Sequence, residues 1–97
     1  MSEKSPESQA ILDEMKPLGE WLMEARPMTR ALGRTDYVNR HRQEYMDAGS
    51  TYAEANEKAY DDLRVFDKEW DEKNNKYNKL ATKYRKQRAK DDGVGLL

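Results

Sequence analysis

The chain has 97 residues, of which 36% are apolar, and its 18 basic and 19 acidic residues give a net charge of −1. Leu, Ile, Val and Phe together number only thirteen, which excludes a thick globular core and a β-sandwich. The absence of cysteine excludes a disulfide framework and a cysteine zinc site. We expect no membrane span, because no apolar run reaches about 18 residues, and no secretory signal.

The first predicted element is a kinked helix over residues 5–32. Ser5 is a good capping residue and Pro6 suits the first helical position. Pro17 interrupts the pattern and predicts a kink or break just before it. Pro27 closes the segment, and residues 28–32 can add one more turn before Gly33. Apolar residues recur at spacings of four, three, four and three, as on one helical face: Ile11, Met15, Leu18, Leu22 and Ala25.

A short second helix is predicted over residues 35–48. Thr35 and Asp36 are both capping types, so either can begin it. Gly49 follows Ala48 and is well placed for the left-handed residue that closes a helix.

The third predicted helix is long, over residues 51–90. Thr51 and Glu54 have capping-box spacing, and no Gly or Pro follows until Gly93. At 1.5 Å per residue this helix is about 60 Å long. We expect it to pack against the first two helices near residues 52–70 and to project beyond them. Residues 91–97 are predicted to form a flexible tail.

The predicted fold class is therefore all-α, a single domain over residues 1–97. A small head of two short helices, the first kinked, precedes a long C-terminal helix. That helix has partial coiled-coil character, because large side chains recur every seven residues along it. We expect these side chains to form a ridge that contacts a second polypeptide: Leu63, Phe66, Trp70, Tyr77, Leu80 and Tyr84.

Charge is strongly segregated along the chain. Residues 54–72 carry eight acids and three bases, whereas residues 73–90 carry eight bases and no acid. The basic segment predicts contacts either with nucleic acid phosphates, or with solvent and protein, including residues 54–72 of a second copy. Near-neutral net charge argues against a dedicated DNA-binding protein. The candidate nucleic-acid contacts are Lys76, Lys79, Lys83, Arg85, Lys86, Arg88 and Lys90.

A second basic cluster surrounds the expected turn between the first two helices. Arginine favours bidentate contacts with carboxylates or phosphates. We expect this cluster to pair with the acidic N-terminal region or with residues 54–72. Its members are Arg26, Arg30, Arg34, Arg40 and Arg42.

Catalytic chemistry has little support in the sequence. His41 is the only histidine, and its nearest carboxylates in sequence are Asp36 and Glu44, so we interpret it as a partly buried or interfacial residue. The carboxylates between Asp61 and Glu72 lie on one continuous helix and are interpreted as a solvated acidic face. We expect no enzyme activity, catalytic residue, cofactor, metal or small-molecule substrate.

These observations favour a non-enzymatic protein–protein interaction or assembly protein. The expected partner is another protein or a second copy of the chain, as a dimer or higher homo-oligomer. A small nucleic-acid-binding module using residues 73–90 is the alternative. The small size of the chain and its lack of cysteine suggest a viral (phage) structural component or a regulator of a host complex. The expected location is intracellular, in the cytoplasm or within a virion, without membrane attachment.

Overall fold

A computed structural model describes residues 4–93, which contain three α-helices, one 3-10 turn and no strand. Helix α1 spans Pro6–Ala25, the 3-10 turn Arg26–Thr29, α2 Ala31–Asp47 and α3 Tyr52–Asp91. The all-α prediction, with a bent first segment and a long last helix, is confirmed. No described helix combines the length and apolar character required to cross a bilayer.

The chain divides into two compact units, and α3 contributes residues to both. The first, which we call the terminal unit, contains residues 4–23 and 72–93 of the described chain. The second, the hairpin unit, contains residues 24–71.

Helix α1 begins where the sequence predicts. Ser5 caps it, because its side-chain oxygen accepts a hydrogen bond from the backbone N–H of Ser8 at 3.2 Å. The predicted break at Pro17 is absent, since α1 continues through that residue. The first segment bends at the 3-10 turn Arg26–Thr29, which has Pro27 at its start.

Helix α2 begins four residues earlier than predicted. Gly33 lies inside it rather than in a loop. A Cβ at Gly33 would lie 2.0 Å from the carbonyl oxygen of Pro27. The missing side chain therefore lets the backbone of the 3-10 turn contact the first turn of α2, a close approach that only glycine permits.

The turn between α2 and α3 confirms both local predictions. Gly49 has φ +107° and donates to Met46 O, while Ser50 N donates to Tyr45 O, the bonding pattern of a Schellman closure. Glu54 N then donates to the Thr51 hydroxyl at 3.3 Å, and Thr51 N donates to the Glu54 carboxylate at 3.4 Å. This reciprocal pair is the expected capping box.

The core of the hairpin unit is small, because several of its buried side chains are alanines. Helix α2 and the first part of α3 lie antiparallel, with Arg34 contacting Asp67 and Tyr45 contacting Asp62. The buried side chains are Ala25, Val38, Ala55, Ala59, Leu63 and Phe66.

In the terminal unit α1 lies antiparallel to the last part of α3. Ser5 contacts Asp91 at one end, and Lys73 Nζ lies 5.0 Å from the centre of the Trp21 ring at the other. Between these ends a buried cluster of Ile11, Met15 and Leu80 joins the two helices. The expectation that the end of α3 projects beyond the other helices is therefore wrong, because α1 covers it.

The predicted flexible tail starts one residue too early, since Asp91 is still helical. Asp92 and Gly93 form a turn, and the remaining residues of the predicted tail, 94–97, lie outside the described part of the chain.

Candidate interaction surface

The predicted aromatic ridge of α3 lies largely against the chain's own helices. In the terminal unit Tyr77 and Tyr84 pack against the cluster of Ile11, Met15 and Leu80. Of the six ridge residues, Leu63, Phe66 and Leu80 are buried, and Trp70, Tyr77 and Tyr84 are half-buried. This ridge therefore contributes to the core of one chain, and little of it is available to another molecule. Its contact with a second polypeptide and its coiled-coil character stay predictions.

Five lysines of the predicted basic segment lie together on an exposed face of α3. They recur at steps of three, four, three and four residues, so they follow one line along the helix. Within residues 4–93 none of them forms an ion pair with an acid. We call this surface the lysine stripe: Lys76, Lys79, Lys83, Lys86 and Lys90.

The two arginines of the same prediction are placed differently. Arg85 is exposed and donates to the Thr82 hydroxyl at 3.3 Å. Arg88 is half-buried, and its guanidinium nitrogens lie 3.7 Å from Asp91 and 3.8 Å from Asp92. Arg88 thus lies beside acids of its own helix end, and we do not include it in the lysine stripe.

A hydrogen-bond cluster around Asp91 joins the end of α3 to the start of α1. One carboxylate oxygen accepts from the Ser8 hydroxyl at 2.5 Å, the Ser5 hydroxyl at 3.0 Å and the Ser5 N–H at 3.3 Å. The hydrogen bond from the Ser8 hydroxyl, together with those from Ser5 and Gln87, outweighs the raising effect of burial and lowers the pKa of Asp91 from 3.8 to about 2. The ionised carboxylate therefore helps to hold the start of α1 on the end of α3.

In the hairpin unit Asp62 links α3 to two side chains of α2. Its Oδ2 accepts from the Tyr45 hydroxyl at 2.7 Å and lies 2.9 Å from His41 Nδ1. Burial raises the pKa of Asp62, but the bonds from Tyr45 and His41 outweigh it and leave the pKa below its usual value. Tyr37 stacks on the face of the His41 ring, with centroids 3.9 Å apart.

The carboxylate beside His41 is therefore Asp62, not Asp36 or Glu44, which are closer in sequence. The pair borders a surface depression of about 310 Å³ that Phe66 also lines. Because both strong donors to Asp62 come from α2, this arrangement joins two helices. The interpretation of His41 as partly buried is confirmed, since its side chain is 29% exposed.

A bidentate ion pair makes the second polar link of the hairpin unit. Arg34 donates to both carboxylate oxygens of Asp67, at 2.6 and 2.9 Å. These bonds lower the pKa of Asp67 and raise that of Arg34. One arginine of the predicted cluster does pair with residues 54–72. The interpretation of Asp62 and Asp67 as part of a solvated acidic face is therefore wrong, because both carboxylates bind side chains of α2.

The other carboxylates of this segment include an exposed line on the first turns of α3. We call Glu54, Glu57 and Asp61 the acidic stripe; all three are exposed. Asp61 contacts Arg64 on the same helix, and Glu54 also serves in the capping box. The units differ in net charge, with ten bases and seven acids (+3) in the described terminal unit and eight bases and eleven acids (−3) in the hairpin unit.

Within residues 4–93 no group of three or more His, Cys, Asp or Glu side chains is arranged to hold a metal ion. Comparisons with protein families, with curated proteins and with solved structures find no match.

Proposed function

We propose that this chain has a non-enzymatic function: it binds another protein in the assembly of a complex. The lysine stripe is the surface that makes this contact. The observation that carries the proposal is the alignment of five exposed lysines in a segment, residues 73–90, that contains no acid. An uncompensated surface of one sign attracts a surface of the opposite sign and sets the register of the contact.

The packing of the terminal unit supports this role. Because α1 covers the ridge side of α3 and the Asp91 cluster holds the helix ends together, the stripe belongs to a packed pair of helices. Lysines on such a support need not order the backbone when they bind, and binding therefore costs less conformational entropy than ordering a free helix.

Capture of partners from the cells in which the chain is naturally present tests the proposal. The bait is the full chain, as the wild type, as Lys83→Glu/Lys86→Glu, and as the control Lys16→Glu/Arg85→Glu. Both variants change the charge by −4 within the terminal unit, but the control residues are exposed and lie off the stripe. We expect proteins that bind the wild type and the control, resist nuclease treatment and are lost from the stripe variant. Identical retention by all three baits would refute the proposal.

Nucleic acid binding is the second candidate, because the same stripe is suited to a line of phosphates. Tyr77 and Tyr84 are half-buried against the α1–α3 cluster, and their packing there does not favour base stacking. This candidate therefore rests on charge alone. It predicts retention of short DNA or RNA at low salt that falls steeply as salt rises and is lost in Lys83→Glu/Lys86→Glu. No retention at low salt would exclude it.

A further inference from the structure

We propose that the occupant of the lysine stripe is the acidic stripe of a second copy of this chain. This inference rests on the proposed function and specifies its partner. Glu54, Glu57 and Asp61 in the hairpin unit of one copy would lie against Lys83, Lys86 and Lys90 in the terminal unit of the other.

Charge complementarity is the first argument for this partner. The terminal unit has a net charge of +3 over its described residues and the hairpin unit −3, so unlike units of two copies attract and like units repel. Every side chain of the two stripes is exposed. Long-range attraction between such surfaces favours this pairing from the first encounter.

The spacing of the two stripes is the second argument. Glu54 and Asp61 are seven residues apart, as are Lys83 and Lys90, so each trio spans about 10 Å of helix. The trios thus match in length whether the paired helices run parallel or antiparallel. Each copy carries both stripes, so the same contact serves a closed dimer or a longer assembly.

The acids of the stripe retain acceptor capacity for this contact. Glu57 is the central acid, and both neighbours have local partners: Glu54 binds Thr51 and Asp61 contacts Arg64. A carboxylate has about four lone-pair sites on its two oxygens, so a lysine of a second chain can be added to an existing bond.

Sedimentation of the purified full chain over a concentration series tests this partner. We expect association that weakens as salt rises from about 0.01 M to about 1 M, since the screening length falls from about 30 Å to about 3 Å. Three exposed pairs predict that reversal of a stripe weakens association by about tenfold or more. The stripe variants are Lys83→Glu/Lys86→Glu and Glu57→Lys/Asp61→Lys, and Lys16→Glu/Arg85→Glu is again the control.

The decisive measurement mixes the two stripe variants. If each variant is impaired alone, the mixture should still associate. Lys83→Glu/Lys86→Glu retains its acidic stripe, and Glu57→Lys/Asp61→Lys retains its lysine stripe, so these two intact stripes can pair. A wild-type chain that remains monomeric at low salt, or association that neither reversal weakens, would overturn the inference. The proposed function is judged separately, because stripe-dependent capture of another protein would persist even if the chain did not self-associate.

Discussion

Replacement of Gly33 by alanine should destabilise the protein, although alanine normally stabilises a helix interior by about 1 kcal/mol relative to glycine. The new Cβ would lie 2.0 Å from the Pro27 carbonyl oxygen and 2.7 Å from its carbon, whereas real Cβ atoms essentially never approach within 3.0 Å. The backbones must therefore separate by at least about 1 Å. This also disturbs the bond from Arg30 N to Pro27 O.

Overpacking of this kind costs about 1–3 kcal/mol. Over most of that range the cost is larger than the gain of about 1 kcal/mol from replacing glycine by alanine in a helix. We expect the free energy of unfolding to fall by up to about 2 kcal/mol, with the melting temperature falling by about 4–8 °C for each kcal/mol. Thermal denaturation followed by circular dichroism measures this change.

Gly19→Ala is the matched control for Gly33→Ala. It also lies inside a helix, but its Cβ would meet the side chain of Tyr77, 3.2 Å away, and a ring edge can shift where backbone cannot. We expect its stability to stay within about 1 kcal/mol of the wild type. A Gly33→Ala protein that melts at or above the wild-type temperature would refute the account of the 3-10 turn.

Two further predictions concern the core and the helix ends. Phe66→Ala should lower the free energy of unfolding by about 3–5 kcal/mol at any protein concentration, because Phe66 is buried within the chain. Val65 is exposed, and Val65→Ala should stay within about 0.5 kcal/mol of the wild type. A Phe66→Ala effect that vanishes on dilution would place Phe66 in an interface between chains. Because the folded state lowers the pKa of Asp91, its stabilising contribution is complete above pH 3.8 and is lost as pH falls through about 2. A carboxyl titration by NMR with a midpoint near 3.8 would contradict the bonds from Ser5 and Ser8.

The position of α1 changes what the long helix can do. A bare α3 would offer its aromatic ridge to another polypeptide, as the heptad pattern suggested. With Ile11 and Met15 on Leu80, the apolar side of the terminal unit is occupied within the chain. The lysine stripe remains exposed in this segment, and it therefore carries the proposed contact.

The sequence alone determined the helices and most of their ends, because the interactions that begin and end a helix are local. The Ser5 cap, the Thr51–Glu54 capping box and the Gly49 closure each involve residues no more than five positions apart. The exposed lysine line also follows from periodicity, since residues three and four apart share a helical face.

Only the tertiary structure decided which faces are covered and which charges are paired. Asp62 lies 21 residues from His41, and Asp91 lies 83 residues from Ser8, so no local rule joins them. Gly33 was misread for the same reason, because the contact that requires glycine is made with the backbone of the preceding turn. Helix periodicity identifies an apolar face, but the choice between the chain's own helices and another molecule depends on how the chain folds back.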